Sequence, residues 1–207
     1  AGRTALFYAA NYGKNKVVQL LATKISMKIN ATDNRGLTPL FVATAAKNHK
    51  CVKSLLQAGA ENSKLVMKKK DDKRHGMTPL MIAAKDGKKE SLAVILSSDY
   101  SVNINAQNGK GETALMLAAL FKNDGCCKEL LNNEADVKIK NNEGKTAYVL
   151  CSKMKLNDTV ILKLLAEKTL SPLQYLNELT RLKCTSEVEE IIKDGDHGLS
   201  KLDSEHI

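Results

Sequence analysis

The sequence predicts an all-α repeat solenoid, a stack of helix-turn-helix units joined by β-hairpin-like turns. Three observations carry this expectation. The phrase Gly36-Leu37-Thr38-Pro39-Leu40 returns, reworded, as Gly2-Arg3-Thr4-Ala5-Leu6, Gly76-Met77-Thr78-Pro79-Leu80, Gly111-Glu112-Thr113-Ala114-Leu115 and Gly144-Lys145-Thr146-Ala147-Tyr148. Its threonines lie 34, 40, 35 and 33 residues apart, a period that marks a stacked array. Within a period, apolar residues recur at helical spacing, as in Leu80, Ala83 and Ala84 and then Leu92, Ile95 and Leu96, which predicts two short helices per unit.

The elements of a unit follow in order. Thr38 and Thr78 are placed to cap the first helix with their hydroxyls, and Pro39 and Pro79 suit the first helical position, where no donor is needed. Gly87 suits a positive φ between the two helices, and Gly36, Gly76, Gly111 and Gly144 suit the turn that precedes each unit. A helix of about ten residues is marginal alone, so stacking must stabilise it. Ala9, Ala10, Ala43, Ala83, Ala84, Ala118 and Ala119 would let neighbouring helices approach closely; a larger residue there should overpack by roughly 1 to 3 kcal/mol.

These openings, the second-helix runs Val17-Val18-Gln19-Leu20-Leu21 and Cys51-Val52-Lys53-Ser54-Leu55-Leu56, and the closes Gly59-Ala60-Glu61, Val102-Asn103-Ile104-Asn105-Ala106 and Glu134-Ala135-Asp136-Val137 resemble the ankyrin repeat family. The resemblance covers about residues 2 to 166. It implies repeats over 1–168, with units at about 1–32, 33–72, 73–107, 108–140 and 141–168. Ser171-Pro172-Leu173 echoes the opening and 186–195 reads as a second helix, so 169–195 is expected to be a degenerate capping repeat, followed by a flexible tail at 196–207.

The chain departs from the family at several places. The family's His after Thr-Pro-Leu is replaced by Phe7, Phe41, Met81, Met116 and Tyr148, so an imidazole network between units is lost. The longest period holds an insertion at Lys64-Leu65-Val66-Met67-Lys68-Lys69-Lys70-Asp71-Asp72-Lys73-Arg74-His75. Lys68, Lys69, Lys70, Lys73 and Arg74 could form an anion-binding finger; a solvated loop extension is the preferred reading, since insertions in surface loops cost little. Smaller extensions fall near Asp99-Tyr100-Ser101 and Lys155-Leu156-Asn157-Asp158, and the fifth unit, with Cys151 for Ala, resembles an array end.

The 207 residues are 43% hydrophobic and 4% aromatic with no Trp, which fits a core tiled from Ala, Leu, Val and Ile. There is no apolar run long enough for a membrane span and no signal-peptide pattern. An intracellular, cytoplasmic setting is expected, with the reservation that Ala1 sits inside a repeat and earlier residues could carry a targeting signal. The five cysteines are an odd number without Cys-x-x-Cys or metal-ligand spacing, which argues against disulfides and zinc and for small buried hydrophobes at Cys51, Cys126, Cys127 and Cys151.

No catalytic constellation is apparent. His49, His75, His197 and His206 are scattered, and Gly109-Lys110-Gly111-Glu112-Thr113 lacks phosphate-loop spacing and falls on the repeat's turn. The chain is therefore expected to be a non-enzymatic protein-binding module, a monomer without cofactor or metal. In the family, a partner lies along the concave side, touched by hairpin tips and first-helix ends. Carried onto this chain, that surface is Tyr12, Asn34, Arg35, Leu37, Arg74, His75, Met77, Lys85, Asp86, Lys110, Glu112, Leu120, Phe121, Lys145, Lys153 and Met154. Tyr12, Leu37, Met77, Leu120 and Phe121 are expected to face solvent, although Leu120 and Phe121 could instead tuck beneath a neighbouring unit. A net charge of +9 and pI near 9.2 raise the alternative of a basic surface for nucleic acid or anionic lipid; nucleic acid is disfavoured for want of aromatic stacking platforms. The chain could also be the targeting region of a larger enzyme or secreted effector.

Overall fold

Each first helix begins where a threonine hydroxyl can accept an otherwise unpaired backbone N–H. In the computed structural model, which describes residues 2–24, 28–62, 76–97, 102–152 and 159–181, Thr4, Thr38, Thr78 and Thr113 stand in extended backbone. Their Oγ1 atoms accept from the N–H groups of Phe7, Phe41, Met81 and Met116 at 3.2, 3.2, 3.2 and 3.3 Å. The helices so started are α1 (Ala5–Asn11), α3 (Pro39–Ala45), α5 (Pro79–Lys85) and α7 (Ala114–Leu120). Each is followed by a second helix: α2 (Asn15–Lys24), α4 (His49–Gln57), α6 (Lys89–Leu96) and α8 (Asp124–Asn132). Then come α9 (Ala147–Ser152), capped by Thr146 through the N–H of Val149, α10 (Thr159–Thr169) and α11 (Pro172–Arg181).

The described residues contain no strand. The hairpin-like links are turns, closed in three repeats by the same pair of backbone bonds: Asp33 N–H to Leu37 O and Gly36 N–H to Asp33 O, with counterparts at 108–112 and 141–145. Gly36, Gly76, Gly111, Gly144 and Gly87 all have positive φ, between 66 and 88°, as their positions require.

The chain divides into two compact bodies, residues 1–150 and 151–207. In the first, α1, α3, α5 and α7 pack in succession, as do α2, α4, α6 and α8, and each first helix packs on its own second helix. Ala10, Ala43, Ala83, Ala84, Ala118 and Ala119 are completely buried along the first-helix row. Phe7, Phe41, Met81 and Met116 are buried with them and Tyr148 is half-buried, so most of the residues standing in for histidine pack instead of hydrogen-bonding. Met81 also accepts the Thr78 N–H on its sulfur at 3.4 Å.

Several inter-repeat hydrogen bonds are carried by asparagines instead. Asn48, just before α4, donates Nδ2–H to the carbonyls of Ala10 and Asn11, both at 2.9 Å. Asn123, just before α8, does the same to Ala84 and Lys85 at 2.8 and 2.7 Å. Each asparagine lies close over a glycine of the preceding repeat. A Cβ on Gly13 would stand 2.7 Å from Asn48 Oδ1, and one on Gly87 2.6 Å from Asn123 Oδ1. Between the second and third repeats the equivalent positions hold Lys47, at φ 62°, and Lys88. A second set of couplings joins the repeat closes: Asn30 Oδ1 accepts the Glu61 N–H at 3.0 Å, and Asn105 Oδ1 the Asp136 N–H at 2.9 Å.

In the second body, α10 packs on α11, with Ile161, Leu162, Leu165 and Ala166 buried. The opening echo at 171–173 does start a helix, with the Ser171 carbonyl accepting the Tyr175 N–H. The remainder of the expected cap at 182–195, the tail at 196–207 and the extensions at 99–101 and 155–158 lie outside the described residues.

Asn123→Ala should lower stability by about 1–3 kcal/mol, because it strips a donor from two carbonyls, and Gly87→Ala by a similar amount through φ strain and the close oxygen. Urea unfolding checks both. In the double variant the losses should fall short of additive, since the alanine at 123 removes the atom that the new Cβ meets.

Candidate protein-interaction surface

The hairpin tips are shaped by one side chain each. Asp33 Oδ1 accepts the N–H groups of Arg35 and Leu37 at 2.9 and 3.0 Å. Asn108 Oδ1 accepts those of Lys110 and Glu112 at 2.9 and 3.0 Å, and Asn141 Oδ1 those of Glu143 and Lys145 at 3.0 and 2.9 Å. An acidic or amide oxygen two and four residues before two backbone donors is a local competitor of strand pairing, and here it holds the tip.

Only the first of these tips uses a charged residue. Asp33 is buried, with Oδ2 3.4 Å from Arg3 Nε and 3.5 Å from Arg35 Nε. Burial opposes its ionisation, but the N–H donors of Leu37 and Arg35, the Arg3 side chain and the charge of Arg35 outweigh that and hold its carboxyl below the ordinary value. Arg3 also lies over the Phe7 ring at 4.9 Å, within cation–π range.

The tips present Asn34, Arg35 and Lys110 to solvent, while Glu112 and Lys145 are half-buried. Glu112 accepts from Asn108 Nδ2 at 2.9 Å, and Lys145 pairs with Glu143. At the ends of the first helices, Tyr12 is 67% exposed and Phe121 48% exposed. Asp86 is exposed, Leu120 and Lys85 are half-buried, and the Lys85 ammonium stands 5.3 Å from the Phe121 ring centroid. Phe121 therefore does not tuck away, whereas Leu120 partly does.

Two expected surface anchors are corrected. Leu37 and Met77 are buried, at 2% and 1% exposure. Each directly precedes a capping threonine, the position from which an apolar side chain folds back onto the first turn of the helix. The equivalent places in other repeats hold Arg3, which is exposed, and Glu112 and Lys145, which are half-buried. Lys68, Lys69, Lys70, Lys73, Arg74, His75, Lys153 and Met154 lie outside the described residues.

Four exposed apolar residues escaped the sequence reading. Tyr8, Val17, Leu20 and Leu173 are 46, 45, 56 and 69% exposed. Counterparts of the first two in later repeats, Val42, Ile82 and Leu117 for Tyr8 and Cys51, Ser91 and Cys126 for Val17, are all buried. The asparagine couplings were missed as well. Their signal was in the sequence: Gly13 and Gly87 are each followed, one repeat later, by Asn48 and Asn123.

Cys51, Cys126, Cys127 and Cys151 are buried free thiols. Burial pushes the Cys51 thiol up, and burial together with Glu90 pushes Cys126 up to about 11. Among the described residues no group of three His, Cys, Asp or Glu could hold a metal ion, and no helix is long and apolar enough to cross a membrane.

The family model for ankyrin repeats, three copies, matches residues 1–66 and 80–174. The chain belongs to the ankyrin repeat family. As an ankyrin array it is similar to neurogenic locus notch homolog protein 1 of Mus musculus and of Homo sapiens, each 31% identical over 150 residues, 72% of this chain and 6% of the relative. It is also similar to SH3 and multiple ankyrin repeat domains protein 2 of Homo sapiens, 28% identical over 148 residues, 71% of this chain and 8% of that protein. The chain thus spans only a small part of these relatives' length. Ankyrin arrays are in general protein-protein interaction modules.

Two expectations test the site's electrostatics. Asp33→Ala should cost about 1–3 kcal/mol, since it frees two backbone donors and unpairs two arginines. Because the folded pKa of Asp33 is lowered, its contribution is complete above the unfolded value and lost as pH falls through the folded one; the gap in urea midpoint between wild type and variant should narrow as pH falls below the unfolded carboxylate value of about 4. The sign reverses for Cys126. Its raised pKa stabilises the fold below the unfolded value near 9 and is lost as pH rises toward about 11. Cys126→Val should therefore show a shallower fall in urea midpoint than wild type between pH 8.5 and 10.5.

Proposed function

We propose that this ankyrin array is a non-enzymatic binding module that docks a protein partner along the side formed by its hairpin tips and first-helix ends. The observation that carries this reading is the exposure of two aromatic rings, Tyr12 and Phe121, at equivalent positions of the first and fourth repeats. The fold does not need them there: the same position holds Ala46 and Asp86 in the repeats between. Exposed aromatics with polar neighbours are the residue types that anchor interfaces.

Of the other residues assigned to that side, Asn34, Arg35, Asp86 and Lys110 are exposed and Lys85, Glu112, Leu120 and Lys145 half-buried. Four repeats at about 10 Å each give a face of about 30–40 Å, enough for a standard interface of about 800 Å² per partner. The array would act by presenting or masking its partner, in the cytoplasm and as a monomer. Arrays in notch homolog protein 1 and in SH3 and multiple ankyrin repeat domains protein 2 are similar in sequence, and membership of a family of interaction modules supports the binding reading.

The test is affinity capture from a lysate with wild type and with Tyr12→Ser combined with Phe121→Ser. The variant should keep its circular dichroism and thermal midpoint and lose about tenfold or more of the captured partner, the size expected for interface anchors. Undiminished capture by the folded variant would refute the placement.

A further inference from the structure

Charge is divided unevenly along the array. Residues 1–62 hold seven lysines and two arginines against Asp33 and Glu61, whereas residues 76–150 hold nine lysines against nine acids. Both arginines of the first stretch are engaged with Asp33. All seven of its lysines are exposed.

The imbalance is sharpest where α1 turns into α2 and α3 into α4. Residues 13–16 and 46–50 contribute Lys14, Lys16, Lys47 and Lys50, all exposed and without a carboxylate partner among the described residues. Lys47 and Lys50 line an open cavity of about 140 Å³ together with Gly13, Asn48, His49 and Cys51. Its origin is the coupling already described: Gly13 lacks a Cβ, and Asn48 leans across to Ala10 and Asn11. Both Nδ2 hydrogens of Asn48 are thereby spent, which leaves the ammonium groups of Lys47 and Lys50 and the side chain of His49 as the side-chain donors at the rim.

The third and fourth repeats provide an internal control. Gly87 and Asn123 build the same coupling, but there Lys88, Lys89 and Lys122 are interspersed with Asp86, Glu90 and Asp124. The architecture is shared and the field is not.

We infer that the helix-turn edge of the first two repeats is a docking surface for an acidic, extended polypeptide segment, with one side-chain carboxylate seated in the Gly13–Lys50 cavity. This deepens the protein-binding reading by naming the chemistry of one partner segment. Lysine ammonium groups are point charges on flexible stems that take a carboxylate without demanding a fixed geometry, and the cavity lining holds no Phe, Tyr or Trp on which a base could stack. Successive repeats are about 10 Å apart, about three residues of extended chain, so carboxylates at every third position fit Lys14 and Lys16 on one repeat and Lys47 and Lys50 on the next.

The probe is a fluorescein-labelled peptide of four Glu-Ser-Gly repeats, titrated with the whole chain by anisotropy at 50 and 300 mM NaCl. Saturable binding that weakens about tenfold at the higher salt is expected, with none for the Gln-Ser-Gly counterpart. Lys47→Gly with Lys50→Gln, chosen because glycine suits the φ of 62° at position 47, should weaken binding about tenfold. The matched pair Lys122→Gly with Lys88→Gln should change it less than twofold. Equal losses from both pairs, absence of saturable binding, or tighter binding of single-stranded DNA or phosphatidylserine vesicles than of the Glu peptide would overturn the inference. Any of these results, alongside reduced capture by the Tyr12 and Phe121 variant, would overturn it without touching the broader binding role.

Discussion

The packing of one seven-residue helix against the next is the constraint from which everything else in the first body follows. Neither α3 nor α5 is long enough to persist in water, and each has six of its seven residues buried. Close approach is possible because the contact row is alanine, and wherever alanine is fully enclosed a bulkier side chain would push adjacent repeats apart. Stability is therefore shared between neighbours and owned by none, as expected for a quasi-one-dimensional array.

Polar couplings set how the repeats are aligned once packing has brought them together. Asparagine does this at two levels. Asn48 and Asn123 reach from one repeat to carbonyls at the first-helix end of the last, while Asn30 and Asn105 receive an N–H from the close of the next. A helix end that would otherwise leave carbonyls unpaired is satisfied by a side chain from a different period. The first-helix ends, where part of a partner is proposed to bind, are thus tied to the next repeat in the first and third units.

Much of the fold was legible because its signals are local. A threonine followed by proline, and glycine before it, prescribe cap, first turn and positive φ within five residues, and Thr38, Pro39 and Gly36 behave accordingly. Leu37 and Met77 were misjudged because position relative to the tip was used without regard to side-chain type: the residue before the cap is buried when apolar and remains at least partly exposed when charged, as Arg3, Glu112 and Lys145 are. Tyr12 is exposed as its place at the helix end suggested, and for Phe121, where exposure and tucking beneath a neighbour were both open, the ring is exposed. The glycine–asparagine couplings were overlooked because their two halves lie more than thirty residues apart and only pairing of consecutive periods exposes them.

That pairing has a parity. The first and third repeats carry the glycine and the second and fourth carry the asparagine, with Lys47 and Lys88 at the mismatched junction between. Removing the second repeat alone would bring Gly13 opposite Lys88. Removing the second and third together would bring Gly13 opposite Asn123 and restore a working joint. The modular element along this stretch is consequently a doublet, and lengthening or shortening it by twos preserves complementarity where a change by one does not.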